Sequence, residues 1–265
     1  MILTRENYHS PEAYKEFMSA SRYKDFCGSL GIIPCEARAM AKLRGEWVED
    51  PTPAMKVSSF IDAHFAGSLD IFKAQNPDIV TKAGCLKADY AHNLEIIECI
   101  ENDPFFMQYM SGEKQVIMTA EMFGLKWSCM IDSYHPDVAI VDLKVMADLR
   151  KSHYVKDWGQ MTFVQYYGYL EQAFIYQEIV FKCTGKRLPF YIAAASKEEY
   201  PDLEIIGFTQ DDLNDIGSII ERNMIRVRMV RSGESEPDAC GLCDYCRSIK
   251  KLSRPIHFSE LLLNI

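Results

Sequence analysis

Apolar residues recur along the chain with two different periods, which predict helices and strands in alternation. A spacing of three and four residues is typical of helices that bury one side, whereas short β-branched and aromatic runs are typical of strands. Helical spacing or helix-forming composition covers residues 11–26, 35–43, 55–72, 86–110, 161–183 and 209–231. Strand-like runs occupy residues 115–118, 126–132, 138–145, 188–195 and 203–208.

Residues 126–145 (KWSCMIDSYHPDVAIVDLKV) place charged side chains within a strand-forming stretch. An apolar run ends at Asp132, a His-Pro-Asp turn follows, and four apolar residues then lead to Asp142 and Lys144. Since side chains alternate along a strand, Asp142 and Lys144 share one face while Leu143 points to the other. We therefore expect two strands joined by a tight turn, with Asp132 able to reach the same side.

Two carboxylates beside one ammonium form a cluster that calls for added positive charge. An unpaired buried carboxylate is costly, and hard divalent ions such as Mg²⁺ or Mn²⁺ prefer oxygen ligands. Such an ion would polarise a phosphodiester oxygen and acidify a bound water, while Lys144 would orient that water. The simpler alternative is a structural Asp–Lys pair on the exposed face of a hairpin.

Two polar residues lie on otherwise apolar helical stripes. His64 follows the stripe of Val57, Ile61, Ser68 and Phe72, and Gln172 lies between Tyr169 and Tyr176. A buried amide needs partners, because leaving it unpaired costs on the order of 1–3 kcal/mol. Each residue is either a hydrogen-bonded core residue or part of a site.

The cysteines near the C-terminal end have the spacing of metal ligands. Cys240, Cys243 and Cys246 lie within seven residues, and gaps of two residues let successive sulfurs converge on one centre. The alternative is a reduced loop without metal. A tetrahedral site needs a fourth ligand, for which His257 is the nearest downstream residue.

Composition and charge narrow the setting. The 265 residues are 48% hydrophobic and 25% charged, which is ordinary for a globular protein. The chain has no apolar run of the roughly 20 residues that span a bilayer, and its N-terminus lacks the apolar segment of a signal peptide, so we expect a cytoplasmic protein. The net charge is −9, yet residues 222–254 carry a surplus of four positive charges. That strip either binds a polyanion or is a solvated helix face.

The order of these residues resembles the PD-(D/E)xK nuclease superfamily. Asp132 followed by Asp142-Leu143-Lys144 is similar to its catalytic core, and the Gln172-x-x-x-Tyr176 spacing resembles the RecB-nuclease-like and RecE-like branches. The resemblance implies an α/β fold with a restriction-endonuclease-like core, in which helices flank a mixed central β-sheet.

The resemblance also implies roles for single residues. In relatives a helical His approaches the metal, an acid precedes the first catalytic Asp, and the Gln and Tyr lie against the active site. The residues that would hold Mg²⁺ or Mn²⁺ are therefore Asp132, Asp142, the Leu143 carbonyl, His64 and, as the upstream acid, Glu113. Lys144 would position the attacking water. The polar stretch after the hairpin, with Arg150, Lys151 and Lys156, either contacts DNA phosphates or is a surface loop.

A second resemblance concerns the cysteines. Some members of the superfamily, including the AddB type, hold an iron–sulfur cluster with one N-terminal and three C-terminal cysteines. Cys35 is similar to that first cysteine, with Cys27 as a rival, whereas CGxCDxC also resembles the zinc site of RecQ-type helicases. A [4Fe–4S] cluster and Zn²⁺ both remain open. We expect a single domain over residues 1–265, onto which a helical segment 1–54 and a cysteine-rich segment 237–265 are clamped.

The implied function is metal-dependent hydrolysis of DNA from duplex ends, as in prophage recombination exonucleases. Such enzymes often form homo-oligomeric rings and work with a RecT-like annealing protein. Two alternatives stay open. One is a site-specific or structure-specific endonuclease of the same superfamily, and the other is a catalytically silent, metal-clamped DNA-binding or scaffold protein.

Overall fold

The computed structural model describes residues 1–83 and 85–262, which form eleven α-helices and nine strands. The helices are α1 (Pro11–Glu16), α2 (Ala20–Cys27), α3 (Glu36–Arg44), α4 (Pro53–Phe65), α5 (Leu69–Gln75), α6 (Ala88–Glu101), α7 (Pro104–Met110), α8 (Phe163–Tyr166), α9 (Tyr169–Thr184), α10 (Gln210–Ser232) and α11 (Asp244–Ser248). Short 3-10 helices cover Pro77–Ile79 and Phe258–Leu262. None of the described helices has both the length and the apolar content needed to cross a membrane.

The strands form two small sheets and one separate hairpin. The strands are β1 (Phe17–Met18), β2 (Val116–Met122), β3 (Leu125–Ile131), β4 (Ser133–His135), β5 (Ala139–Met146), β6 (His153–Val155), β7 (Gly159–Met161), β8 (Phe190–Ser196) and β9 (Leu203–Gly207). One sheet has the order β1-β3-β2, the other has the order β4-β5-β8-β9, and β6 pairs with β7. In the larger sheet β5 and β8 are parallel, whereas the outer pairs are antiparallel. The predicted α/β architecture of mixed sheets flanked by helices is confirmed.

Strand β5 lies inside the larger sheet and divides the core into two layers. Its odd-numbered residues, from Ala139 to Val145, pack in a cluster with apolar residues of α4, α6 and α7. Its even-numbered Ile140 lies in the other cluster, with residues of α2, α9, α10 and β3. Asp142 and Lys144 therefore face the α9 layer, as the strand alternation predicts.

Local sequence signals explain where several helices begin and end. Thr209 accepts a hydrogen bond from the N–H of Asp212 and forms a capping box with it, so α10 begins where predicted. The predicted helix 55–72 is instead two helices, because Gly67 adopts a φ of +71° between them. The predicted helix 161–183 is likewise divided at Gly168, whose φ is +67°. This conformation favours glycine and ends a regular helix.

The strand pairing around Asp132 differs from the predicted hairpin. The predicted partner strands, 126–132 and 138–145, lie in different sheets, and β3 pairs with β2. The hairpin is formed by β4 and β5, with the turn shifted to 136–138, where Asp137 has a φ of +63°. The chain leaves β3 at Asp132 and enters β4 at Ser133, so Asp132 lies at the junction of the two sheets.

The two ends of the chain lie together against α3. The Arg226 guanidinium on α10 donates to both carboxylate oxygens of Glu36, at 2.9 and 2.7 Å. The N–H of Ala37 donates to the Asp238 carbonyl at 3.0 Å, and α11 packs on α3. These contacts bring the segment after α10 back to the N-terminal helices.

Helices α9 and α10 approach closely at Gly217, so we predict that a larger side chain there destabilises the fold. A Cβ atom at Gly217 would lie 2.3 Å from the Phe174 ring. We expect Gly217→Val to lower the free energy of unfolding by about 2 kcal/mol, as overpacked cores do. Urea unfolding measures this change. Ser218→Val, at the exposed neighbouring position, is the control for β-branching in the helix, and an equal loss in both variants would contradict the packing explanation.

Candidate active site

Three charged side chains meet where β3 ends and β5 passes. Asp132 Oδ2 accepts a hydrogen bond of 2.9 Å from the N–H of Leu143 on β5. Asp142 and Lys144 form an ion pair on the α9 side of the same strand. The Asp142 side chain is only 4% exposed, while that of Lys144 is 20% exposed. The structure thus brings together the three residues that the sequence pattern placed on one side.

Helix α9 supplies polar contacts to this cluster. Gln172 is buried, and its Nε2 donates to Asp142 Oδ1 at 2.7 Å. The buried amide therefore has a hydrogen-bond partner in the charged cluster. Tyr176, one turn later, donates its hydroxyl to the Met130 carbonyl on β3 at 3.3 Å. The ring of Tyr169 lies 5.1 Å from Lys144 Nζ. Gln172 therefore contacts the charged cluster directly, whereas Tyr176 joins α9 to the neighbouring strand.

Asp62 is a further carboxylate of this cluster, which the sequence analysis missed. It lies one turn after Ser58 on α4, and the Ser58 hydroxyl donates to the Val145 carbonyl of β5 at 3.4 Å. Residues four apart share a helix face, so Asp62 is directed toward the same end of β5. Burial, followed by the charge of Asp132, raises the pKa of Asp62 to about 8. No pattern in the sequence marked Asp62, since it is a single acid between the apolar residues Ile61 and Ala63.

Burial, and then neighbouring charges, shift the pKa values of the groups in this cluster. Burial, followed by the charge of Asp142, raises the pKa of Asp132 to about 7. Burial alone would lower the pKa of Lys144, yet the Asp142 carboxylate raises it. Lys144 is therefore a firmly protonated ammonium among three acids. A bound cation beside Asp62 and Asp132 would lower both raised pKa values.

Two predicted ligands lie elsewhere. His64 is about 200° around the helix from Asp62, and its Nε2 is 2.7 Å from the carboxylate of Glu101 on α6. His64 therefore contacts Glu101 and not the carboxylate cluster, although Val57 and Ile61 of its predicted stripe do pack in the core. Glu113 is exposed, and its backbone pairs with that of Tyr134.

Gln115 contacts the cluster in the upstream position that Glu113 was expected to fill. Its Nε2 donates to Asp132 Oδ1 at 2.9 Å. Its backbone has a φ of +53°, and the residue lies just before β2. No periodicity in the sequence marks such a residue, since it belongs to a turn.

The donor set of the cluster fits a hard divalent cation. The N–H and C=O of one strand residue point to the same edge of the strand, so the Leu143 carbonyl lies on the edge that faces Asp132. Asp142 Oδ2 is buried and makes no well-oriented hydrogen bond, although the Lys144 ammonium lies against it. Carboxylate and carbonyl oxygens are the ligands that Mg²⁺ and Mn²⁺ prefer. Asp132, Asp142 and the Leu143 carbonyl, with Asp62 beside them, are the residues that would hold such an ion.

A second metal-binding group lies where the two chain ends meet. Cys35, Cys240, Cys243 and Cys246 place their sulfurs within 4.8 Å of one another. Within residues 1–83 and 85–262 no other group of three or more His, Cys, Asp or Glu ligand atoms is this compact. Cys35 thus completes the C-terminal triplet, as predicted. Its rival Cys27 is outside the group, and burial raises the pKa of that thiol to about 12.

The sulfur spacing fits one tetrahedral ion. The Cys35 and Cys246 sulfurs are 3.5 Å apart, and the other measured pairs are separated by 3.7 and 3.9 Å. Four thiolates at about 2.3 Å from a central zinc ion are about 3.8 Å apart. Although burial opposes it, hydrogen bonds from the N–H groups of Cys243 and Leu242 lower the pKa of Cys240 to about 6. The thiolate form of Cys240, which metal binding requires, is therefore favoured near neutral pH.

The three basic residues after β5 have different surroundings. Arg150 was expected to contact DNA phosphates. In the structure its guanidinium is instead paired with Asp202, at 2.9 Å, and with Glu204. Lys151 precedes the β6–β7 hairpin and Lys156 lies in its turn, and both are exposed. This hairpin was predicted as a polar loop, because its strands are only three residues long.

The fold and the site together define a nuclease of the PD-(D/E)xK superfamily, with a mixed sheet that carries the Asp-x-Lys strand. Residues 19–249 match the model of the PDDEXK-like domain of unknown function (DUF3799), and the chain belongs to this family. It is also similar to a crystal structure from Eubacterium rectale described as a "putative exonuclease". The two are 51% identical in sequence, the match covers 100% of each chain, and the TM-score is 0.97. A search of the curated proteins finds no match.

The raised pKa of Asp62 predicts a pH-dependent loss of stability in EDTA. The folded protein retains this proton from the ordinary pKa of 3.8 up to about 8, whereas the unfolded chain releases it near 3.8. Because the folded state binds more protons in this window, the contribution of Asp62 lowers the free energy of unfolding as the pH rises from about 4 to about 8.

We therefore expect Asp62→Asn to raise the urea midpoint at pH 8 and to change it much less at pH 5. Asp70→Asn, which removes an exposed carboxylate on α5, should have little effect at either pH. An Asp62→Asn effect of equal size at both pH values would contradict the assigned titration.

Proposed function

We propose that this protein is a Mg²⁺- or Mn²⁺-dependent deoxyribonuclease that hydrolyses DNA from duplex ends. The observation that carries the proposal is the buried Asp142–Lys144 pair, with Asp132 beside it and Gln172 hydrogen-bonded to Asp142. If the pair were only a structural ion pair on an exposed hairpin, the Asp142 side chain would be more than 4% exposed. The family and the description of the Eubacterium rectale protein support the same class of activity.

Each residue has a role that follows from its contacts. A bound divalent ion would supply Lewis acidity toward the phosphodiester and a more acidic water. Asp132, Asp142 and the Leu143 carbonyl would hold that ion, and Asp62 would add a fourth oxygen ligand or accept a proton at its carboxylate. Lys144 donates hydrogen bonds at its ammonium, which orients the attacking water and offsets charge on the phosphate oxygens. Gln172 fixes the Asp142 carboxylate, and Tyr176 holds α9 against β3.

The exonuclease assignment goes beyond the class of enzyme. It is supported by the 51% identity to the Eubacterium rectale protein and by the resemblance to RecE-like enzymes. We infer a cytoplasmic enzyme of prophage recombination, in which a homo-oligomeric ring would encircle the duplex and a RecT-like protein would anneal the exposed strand. A site-specific or structure-specific endonuclease uses the same catalytic residues and differs in its substrate.

We also propose that the four cysteines bind Zn²⁺, which would fasten the chain ends to each other. Three sulfur pairs are separated by 3.5, 3.7 and 3.9 Å, and all four sulfurs lie within 4.8 Å of one another. This spacing supports a single ion, because a [4Fe–4S] cluster binds each thiolate to a different iron and holds the four thiolates farther apart. The ion would have a structural role, since all four tetrahedral positions are taken by protein ligands.

The first test replaces the ammonium at the site. We expect Lys144→Ala to reduce Mg²⁺-dependent release of nucleotides from linear duplex DNA by at least about 100-fold, because it removes charge stabilisation at the reacting phosphate. Lys186→Ala removes an exposed lysine that is paired with Asp137, and it should leave the rate unchanged.

The same assay is run with closed circular DNA and with EDTA. Hydrolysis of linear DNA alone supports the exonuclease, and nicking of circles supports the endonuclease. Absence of any Mg²⁺-dependent cleavage by the wild type would mean that the protein is a metal-clamped DNA-binding or scaffold protein instead.

The second test concerns the cysteine group. Purified under anaerobic conditions, the wild type should be colourless and contain about one zinc per chain, because four thiolates bind one tetrahedral ion. Cys246→Ser should lose the zinc and several degrees of thermal stability, since the ion binds the folded state. Cys183→Ser, at an exposed cysteine outside the group, should keep both. A brown protein that absorbs at roughly 400 nm would show an iron–sulfur cluster instead.

A further inference from the structure

The β6–β7 hairpin presents two large aromatic rings to solvent. Tyr154 is 72% exposed and Trp158 is 65% exposed, whereas Trp127 is fully buried. The turn between the strands has the N–H of Trp158 bonded to the Val155 carbonyl at 3.1 Å, and Asp157 adopts a φ of +68°. The hairpin is therefore an ordered turn that displays large rings, and no packing within the described chain explains them.

A row of aromatic contacts joins this hairpin to the catalytic strand. The His153 ring stacks on Tyr166, with 4.1 Å between ring centroids and 17° between planes. His153 also packs edge-on against Tyr167, whose ring lies 6.2 Å from that of Tyr169. Tyr169 in turn lies 5.1 Å from the Lys144 ammonium. The hairpin is thus connected through Tyr166 and Tyr167 to Tyr169, which borders the site.

The charges of the hairpin suit a polyanion. Lys151 and Lys156 are exposed, and neither forms an ion pair within the described part of the chain. The Asp148 carboxylate accepts hydrogen bonds from the backbone N–H groups of Arg150 and Lys151 and forms no ion pair with either lysine. Asp157 is the one exposed acid of the turn. Two free ammonium groups beside two exposed rings match a phosphate backbone with accessible bases.

The burial of the site favours single-stranded over duplex DNA at the hairpin. Asp142 is 4% exposed, so a phosphate must enter a recess to reach it. One strand enters such a recess more readily when it has separated from its complement. Bases of a separated strand expose their faces, whereas bases inside a duplex are covered by their neighbours.

We propose that the β6–β7 hairpin binds unpaired DNA by stacking bases on Trp158 and Tyr154, with Lys151 and Lys156 on the adjacent phosphates. The proposal rests on the proposed nuclease function and specifies the form of its substrate at the site. Stacking on aromatic side chains tolerates any base, which suits an enzyme that degrades DNA of any sequence. The hairpin would hold the strand that leads into or out of the recess.

The test measures binding in EDTA, where no hydrolysis occurs. The probes are a fluorescein-labelled oligothymidylate and a labelled, covalently closed duplex minicircle without unpaired bases, and the readout is fluorescence anisotropy. We expect Trp158→Ala to weaken binding of the single strand about tenfold and Tyr154→Ala to weaken it several-fold, the effect of removing one stacking platform. Binding of the closed duplex should change less than about twofold. Phe105→Ala, at an exposed aromatic residue on α7, is the matched control.

Intrinsic fluorescence gives an independent readout. Of the three tryptophans, Trp158 is the exposed one, while Trp127 is buried and Trp47 is partly covered. The single strand should quench the emission of the wild type, and Trp158→Phe should lose most of that quenching. All variants should keep the wild-type melting temperature, because the replaced rings are exposed.

Three results would overturn the proposal. They are wild-type affinity of Trp158→Ala for the single strand, an equal loss for the closed duplex, and a shift in oligomeric state with unchanged DNA binding, which would make the hairpin an interface between copies. Light scattering measures that last outcome. Because binding is compared without catalysis, a wild type that binds the single strand but never cleaves DNA would refute the nuclease function alone.

Discussion

Burial of charge on one central strand is the constraint around which the site is organised. Asp142 and Lys144 lie in a strand whose other residues pack into two apolar layers, and a buried ion pair is stable only with further hydrogen bonds. Gln172 supplies one from α9, and the neighbouring sheet places Asp132 against the same strand. The positions of α9 and of the sheet junction are therefore tied to the chemistry of two residues.

The candidate active site buries several carboxylates together. Burial, and then the charge of a neighbouring carboxylate, raises the pKa values of Asp62 and Asp132 to about 8 and about 7. Fewer buried carboxylates would give a higher free energy of unfolding, because each one is costly to bury. Several buried carboxylates at one position are typical of sites that bind a cation and a phosphate together, since the cation offsets both sets of negative charge.

Sequence patterns predicted the parts of this protein that depend on long, regular elements. The alternation along β5 placed Asp142 and Lys144 on one face, and the family resemblance implied that Gln172 of α9 lies against them. The errors have local causes. On α4 the family resemblance directed attention to His64 and away from Asp62, and turn geometry, which has no period, concealed Gln115. The three-residue strands β4, β6 and β7 were missed or misassigned because so short a run contains too few alternations to recognise.

The cysteine group joins residue 35 to residues 240–246, so a bound ion would close a loop of about two hundred residues. Such a cross-link restricts the unfolded chain much as a disulfide does, but it can form in a reducing compartment. Its strength would depend on metal supply and on the oxidation state of the thiols. The lifetime of the folded enzyme would then follow the metal and redox status of the cell, with no change at the catalytic residues themselves.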